Sequence, residues 1–127
     1  MSKRILIVDD TLFMRVKIRG LLEKWGYQVV GEGANGREAV DKYTELKPDI
    51  VLMDITMPVL DGLAALSEIM ALDAKATVIM ISALGQERFV MDAIRSGARN
   101  YVVKPFQEDK LQEVLASFSI KMQRGFI

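Results

Sequence analysis

The sequence predicts an α/β fold, a parallel sheet covered by helices on both faces. Three observations carry this. Five short apolar runs recur along the chain, four of them rich in Ile, Val, Leu or Met without polar alternation, as in parallel strands buried on both sides. Segments of helical period with recognisable starts and stops separate the runs. The order βαβαβαβαβα then calls for right-handed crossovers into one sheet. At 127 residues the chain reads as a single domain over 1–127. That size buries roughly two-thirds of the unfolded surface, enough for a core without staples.

The first run is Arg4–Val8. Leu12, Phe13, Val16, Leu21, Leu22 and Trp25 follow as the apolar face of a helix, closed by Gly26 in the position after its C-cap. The run at 27–30 is weaker, lies between Gly26 and Gly31, and is expected at a sheet edge. Asn35-Gly36-Arg37-Glu38 has the form of a capping box, opening a helix that ends near Lys47-Pro48. A third run spans 49–53, after which Asp61 caps a helix to about Leu72. The fourth run, 77–81, precedes a helix over 86–96 ended by Gly97. The fifth, Asn100–Val103, precedes a last helix from Gln107, and Gly125-Phe126-Ile127 reads as a frayed tail.

Composition removes several chemistries. The chain has no cysteine and no histidine, which excludes disulfides, thiolate or imidazole zinc sites, a Ser-His-Asp relay and a phosphohistidine. Seventeen basic residues balance seventeen acidic ones, so no electrostatic footprint for nucleic acid exists. No segment reaches the ~20 apolar residues of a membrane span, and the N-terminus lacks a secretory pattern, so a cytoplasmic protein is expected.

What remains is where the polar residues fall. The first run ends in Asp9-Asp10, the third in Asp54, the fourth in Ser82 and the fifth in Lys104. In a parallel sheet these ends share one edge, the edge at which open α/β sheets bind ligands. With strand order 2-1-3-4-5, strands one and three are neighbours about 4.8 Å apart, and Asp9, Asp10 and Asp54 crowd together. Two carboxylates ~4 Å apart repel by roughly 4 kcal/mol at an effective dielectric of 20. A hard divalent cation removes that penalty, and carboxylates with a carbonyl and waters suit Mg²⁺ or Mn²⁺. Singly, Asp10 could equally be a helix cap, Ser82 a turn residue and Lys104 plain surface. Their shared edge argues for a site.

With Ile7-Val8-Asp9-Asp10, Asp54-Ile55-Thr56-Met57-Pro58, Asp61-Gly62, Ser82-Ala83, Gly97-Ala98 and Lys104-Pro105-Phe106 in that order, the chain resembles the receiver domain of bacterial response regulators along almost its whole length, most closely the single-domain chemotaxis regulators. The resemblance implies a flavodoxin-like (βα)5 sandwich. It makes Asp54 the phosphoacceptor and Lys104 and Ser82 its phosphoryl-contacting partners. Asp9, Asp10, Asp54 and the backbone carbonyl of Thr56 become Mg²⁺ ligands, and the bond before Pro105 is expected to be cis. Tyr101 stands at the aromatic position that turns inward on activation. Apolar residues of the fourth helix (Phe89, Val90, Met91, Ala93 and Ile94) either bury broadly or, with Val90 foremost, join Tyr101 in a partner-docking face.

The implied function is a two-component switch, probed by a histidine kinase as donor and by a phosphorylation-dependent target such as a flagellar-switch component, with a phosphatase as a further partner. The protein is then a cytoplasmic, monomeric signalling protein, not an enzyme acting on other molecules, and binds neither nucleic acid nor membrane. The alternative is a receiver excised from a larger regulator. A haloacid-dehalogenase-type phosphatase needs a second Asp where Thr56 stands, and a flavodoxin needs a hydroxyl- and Gly-rich loop where this one is acidic. Thr56 and Leu84 occupy two variable positions beside the site, and apolar Leu84 is expected to slow hydrolysis of the phosphorylated form.

Overall fold

The computed structural model describes residues 3–124, with side-chain surroundings over 3–118. The tail expected at Gly125-Phe126-Ile127 lies outside the described residues. Five strands and five helices alternate: β1 (Arg4–Val8), α1 (Leu12–Lys24), β2 (Gln28–Gly33), α2 (Gly36–Leu46), β3 (Ile50–Met53), α3 (Gly62–Leu72), β4 (Val78–Ser82), α4 (Glu87–Arg95), β5 (Asn100–Val103) and α5 (Glu108–Arg124). All strand pairs are parallel and the order is β2-β1-β3-β4-β5.

The uninterrupted apolar runs make sense in this sheet. Leu6, Val8, Val51, Met53, Val78 and Met80 face a core shared with α2, α3 and Ala93 of α4. Their alternates Ile5, Ile7, Ile50, Leu52, Ile79 and Ile81 face a second core with Ile18 and Leu22 of α1 and Leu111, Val114 and Leu115 of α5. Successive side chains point to opposite faces, and both faces are covered, so both alternates must be apolar. The fifth run departs from that rule. β5 closes the sheet, and only Val102 of its four residues is buried, because an edge strand meets helices and solvent together.

Helix punctuation follows the expected chemistry. At the end of α1, Gly26 (φ 88°) donates to the Glu23 carbonyl and Tyr27 to that of Leu22, which is a Schellman motif. Gly97 (φ 113°) closes α4 in the same way, with Gly97 bonded to Ile94 and Ala98 to Ala93. Asn35 caps α2 by accepting from the Glu38 amide at 2.9 Å, and the Glu38 carboxylate accepts from the Ala34 amide at 2.7 Å. Asp61 caps α3 through the Ala64 amide at 2.8 Å.

Two helix faces differ from expectation. On α1 the buried residues are Ile18, Leu21 and Leu22, with Met14 and Trp25 packed beside them. That stripe runs at spacings of four, three, one and three residues, one helical face. Leu12, Phe13 and Val16 point the other way and are 64%, 76% and 61% exposed. On α4 only Ala93 is buried, Met91 and Ile94 are exposed, and Phe89 and Val90 are half-buried, which rules out the broadly buried helix. Among the described residues, no helix is long and apolar enough to cross a membrane.

Candidate functional site

The strand registers assemble the site. Val8 pairs with Met53, so Asp9 and Asp54 leave neighbouring strands at the same level, and the Asp54 amide donates to the Val8 carbonyl at 3.0 Å. Ser82 is the last residue of β4 and pairs with Val103, so Lys104 begins beyond it, its amide donating to the Ser82 carbonyl at 2.8 Å. Asp9, Asp54, Ser82 and Lys104, far apart in sequence, therefore share the C-terminal edge of the sheet, with Asp10 next to Asp9.

Asp9 and Asp54 are buried and Asp10 is exposed. One carboxylate oxygen from each of the three lies within 4.8 Å of the others. The Lys104 ammonium enters between two of them, 2.6 Å from Asp9 Oδ2 and 3.1 Å from Asp54 Oδ2. Burial acts to lower the Lys104 pKa, but the hydrogen bond to Asp9 and the charges of Asp54 and Asp9 outweigh it and hold the amine above the ordinary lysine value. The second oxygens are held by the residues that follow each aspartate in the chain. Asp9 Oδ1 accepts from the amide and hydroxyl of Thr11 at 2.9 and 3.0 Å, and Asp54 Oδ1 from the Ile55 amide at 2.7 Å. Thr11, not Asp10, is the N-cap of α1, so the capping reading of Asp10 falls away.

Three carboxylates answered by one lysine leave a local excess of negative charge open to solvent through Asp10. A hard cation fits that donor set, which offers oxygen only, and Asp9, Asp10 and Asp54 can supply it. Thr56 stands two residues past Asp54 in the β3–α3 connection, with its side chain exposed. Ser82 is buried, and its Oγ accepts from the Leu84 amide at 3.1 Å. The hydroxyl of Tyr101 donates to the carbonyl of the same Leu84. Burial pushes the Tyr101 phenol above its ordinary value, the Ser82 hydroxyl opposes this, and the Asp54 charge adds to it. The Lys104–Pro105 bond is cis. Val90 is the outlier among the candidates, a half-buried residue of α4 rather than of the strand edge.

Sequence reasoning assigned no role to three contributors. Gly62 seats α3 against the end of β3: its amide donates to the Ile55 carbonyl at 2.7 Å, and a Cβ there would lie 1.9 Å from the Asp54 carbonyl oxygen. Arg15 donates to the Asp9 carbonyl at 2.7 Å, and Glu32 of β2 holds Arg15. The glycine after Asp61 was visible in the sequence; the Arg15–Glu32 pair, seventeen residues apart, had no local signal.

Residues 5–116 match the model of the response regulator receiver domain. The chain belongs to the response-regulator receiver family. It is thus a phosphorylation-controlled switch of the two-component class. The chain is 53% identical over 119 residues to the chemotaxis protein CheY of Thermotoga maritima, covering 94% of this chain and 99% of that protein. It is 54% identical over 115 residues to CheY of Bacillus subtilis, covering 91% and 96%. Among solved structures, CheY in a CheX-CheY-BeF3-Mg complex from Borrelia burgdorferi superposes with a TM-score of 0.88 at 43% identity, covering 91% of this receiver and 89% of that chain.

Proposed function

We propose that this receiver is a chemotaxis response regulator that accepts a phosphoryl group on Asp54 from a histidine kinase and thereby changes its partner binding. The observation that carries the reading is the convergence on Asp54 of Lys104, at 3.1 Å, and of Asp9 and Asp10, within 4.8 Å, at the sheet's ligand-binding edge. The chemotaxis assignment is supported by matches spanning 99% and 96% of two CheY proteins, against 30% of a protein-glutamate methylesterase of Archaeoglobus fulgidus. The domain reading is one receiver over 1–127.

In the transfer, Asp54 Oδ2 attacks phosphorus in line, the donor's P–N bond breaks, and its electron pair leaves with the imidazole of the kinase. A carboxylate is a weak nucleophile, so positioning and charge supply the catalysis. The Ile55 amide fixes Oδ1, which turns Oδ2 toward the cluster. Lys104 releases Asp54, its longer contact, to meet the incoming phosphoryl oxygens, and keeps Asp9. Asp9, Asp10, Asp54 and the Thr56 carbonyl would hold Mg²⁺, or Mn²⁺, which when bound neutralises the transferring oxygens. The product is a mixed anhydride on the protein itself, so the chain catalyses only its own modification and is a signalling protein.

The output runs through Leu84. Ser82 accepts from its amide and Tyr101 donates to its carbonyl, so drawing the Ser82 hydroxyl toward a phosphoryl oxygen frees the loop that Tyr101 grips. The α4–β5 surface beside it, with Val90, Met91, Ile94 and Val103, is where a target such as a flagellar-switch component docks. A phosphatase is read as a further partner, and the relative seen in complex with CheX supports a second class of binding protein. The protein is read as cytoplasmic and monomeric, without nucleic-acid or membrane partners.

Acetyl phosphate with Mg²⁺ should label the chain stoichiometrically, and Asp54→Ala should remove the label. Undiminished labelling of Asp54→Ala would overturn the assignment. The output reading requires that Val90→Ala combined with Tyr101→Ala weaken phosphorylation-dependent capture of the target.

A further inference from the structure

We propose that Arg15 is a positioning residue for the metal-binding loop, clamping the Asp9–Asp10 peptide so that the Asp10 carboxylate is aimed at the cation site; this rests on reading Asp9, Asp10 and Asp54 as Mg²⁺ ligands. The two buried members of the acidic cluster are held directly. Asp9 is bonded through both carboxylate oxygens, and Asp54 through the Ile55 amide and Lys104. Among the described residues, no hydrogen bond holds the Asp10 carboxylate, which is exposed. Its direction is set by the backbone that carries it.

Arg15 controls that backbone. Its Nη1 donates to the Asp9 carbonyl at 2.7 Å, and this carbonyl belongs to the planar peptide that joins Asp9 to Asp10. Fixing the oxygen fixes the plane, and with it the orientation at the Asp10 Cα. The guanidinium is itself held, with Nε 3.0 Å from Glu32 Oε1. Arg19 Nε binds the other oxygen of Glu32 at 2.7 Å, and Lys42 Nζ donates to the Glu32 carbonyl. Burial acts to raise the Glu32 carboxyl, but the hydrogen bonds and charges of Arg19 and Arg15 hold it below the ordinary glutamate range, so it stays ionised as an anchor. A planar fork with two fixed partners suits arginine and not lysine.

Charge and geometry predict opposite signs. Removing a cation near three carboxylates would tighten Mg²⁺ binding if Arg15 acted only through its charge. Releasing the Asp9 carbonyl weakens binding if it acts by position. The test is calorimetric titration of the full chain with Mg²⁺. Arg15→Met should lower affinity on the order of tenfold, the usual loss when a group orienting a ligand is removed. Arg15→Lys, which loses the fork but keeps the charge, should lose at least as much, because no relief of charge offsets the lost position. Equal or tighter binding by Arg15→Met overturns the proposal. Should Arg15→Met fail to fold, an unchanged affinity in Arg15→Lys overturns it instead. An unsubstituted chain that takes up no Mg²⁺ overturns the metal site itself.

Discussion

Lys104 lies closer to Asp9, at 2.6 Å, than to Asp54, at 3.1 Å. The lysine that sequence order places beside the proposed phosphoacceptor is anchored on its neighbour, and both carboxylates are buried. Removing the ammonium therefore strands two charges at once. Lys104→Met should lower unfolding free energy in the absence of Mg²⁺ by about 3 kcal/mol, the cost of breaking a buried pair. Mg²⁺ should restore more stability to this variant than to the unsubstituted chain, which denaturant titrations with and without the ion will show.

The same pair gives a pH dependence. The Lys104 pKa is raised in the folded protein, so its contribution is complete below the ordinary lysine value of about 10.4 and is lost as pH rises through the higher folded value. Stability without Mg²⁺ should fall on the alkaline side of pH 10. Denaturation profiles of Lys104→Met should lack that component.

Gly62 is needed for close approach. A methyl group there would meet the Asp54 carbonyl at 1.9 Å, and backbone, unlike a side-chain end, cannot swing aside. Gly62→Ala should destabilise by about 2 kcal/mol or more through overpacking. It should also slow acetyl-phosphate labelling by displacing Asp54, measurable as an initial rate on the folded fraction.

Val59 carries the opposite kind of strain. Its φ is 70°, and the Leu60 amide donates to the Pro58 carbonyl at 2.7 Å, which together make the rare, strained form of γ-turn. The side chain is 81% exposed and contributes little packing to offset this. Val59→Gly should relieve about 1 kcal/mol, somewhat reduced by the added freedom of glycine in the unfolded chain. A raised denaturation midpoint with an unchanged slope is the expected result.

Leu84 packs partly against the core beside Ser82 and Tyr101. An apolar side chain there gives an attacking water nothing to bond to. Leu84→Glu should shorten the half-life of the phosphorylated form several-fold, followed by decay after acetyl phosphate is removed.

Much of this protein is set by local pattern. The ten elements, their caps at Asn35 and Asp61 and their glycine stops at Gly26 and Gly97 follow from periodicity and turn chemistry, which act over a few residues. The placing of Asp9, Asp54, Ser82 and Lys104 at strand ends is equally local, and a parallel sheet turns it into a shared edge. Only the tertiary structure decided which of these groups touch. The preference of Lys104 for Asp9, the grip of Arg15 on the Asp9 carbonyl, the seating of Gly62 on Asp54 and the outward turn of Leu12, Phe13 and Val16 all depend on strand register and on how α1 and α3 settle against the sheet. Those contacts join residues between six and ninety-five positions apart, and no short-range propensity encodes them: they exist because backbone pairing brings the strand ends together and close packing then leaves each side chain one place to go.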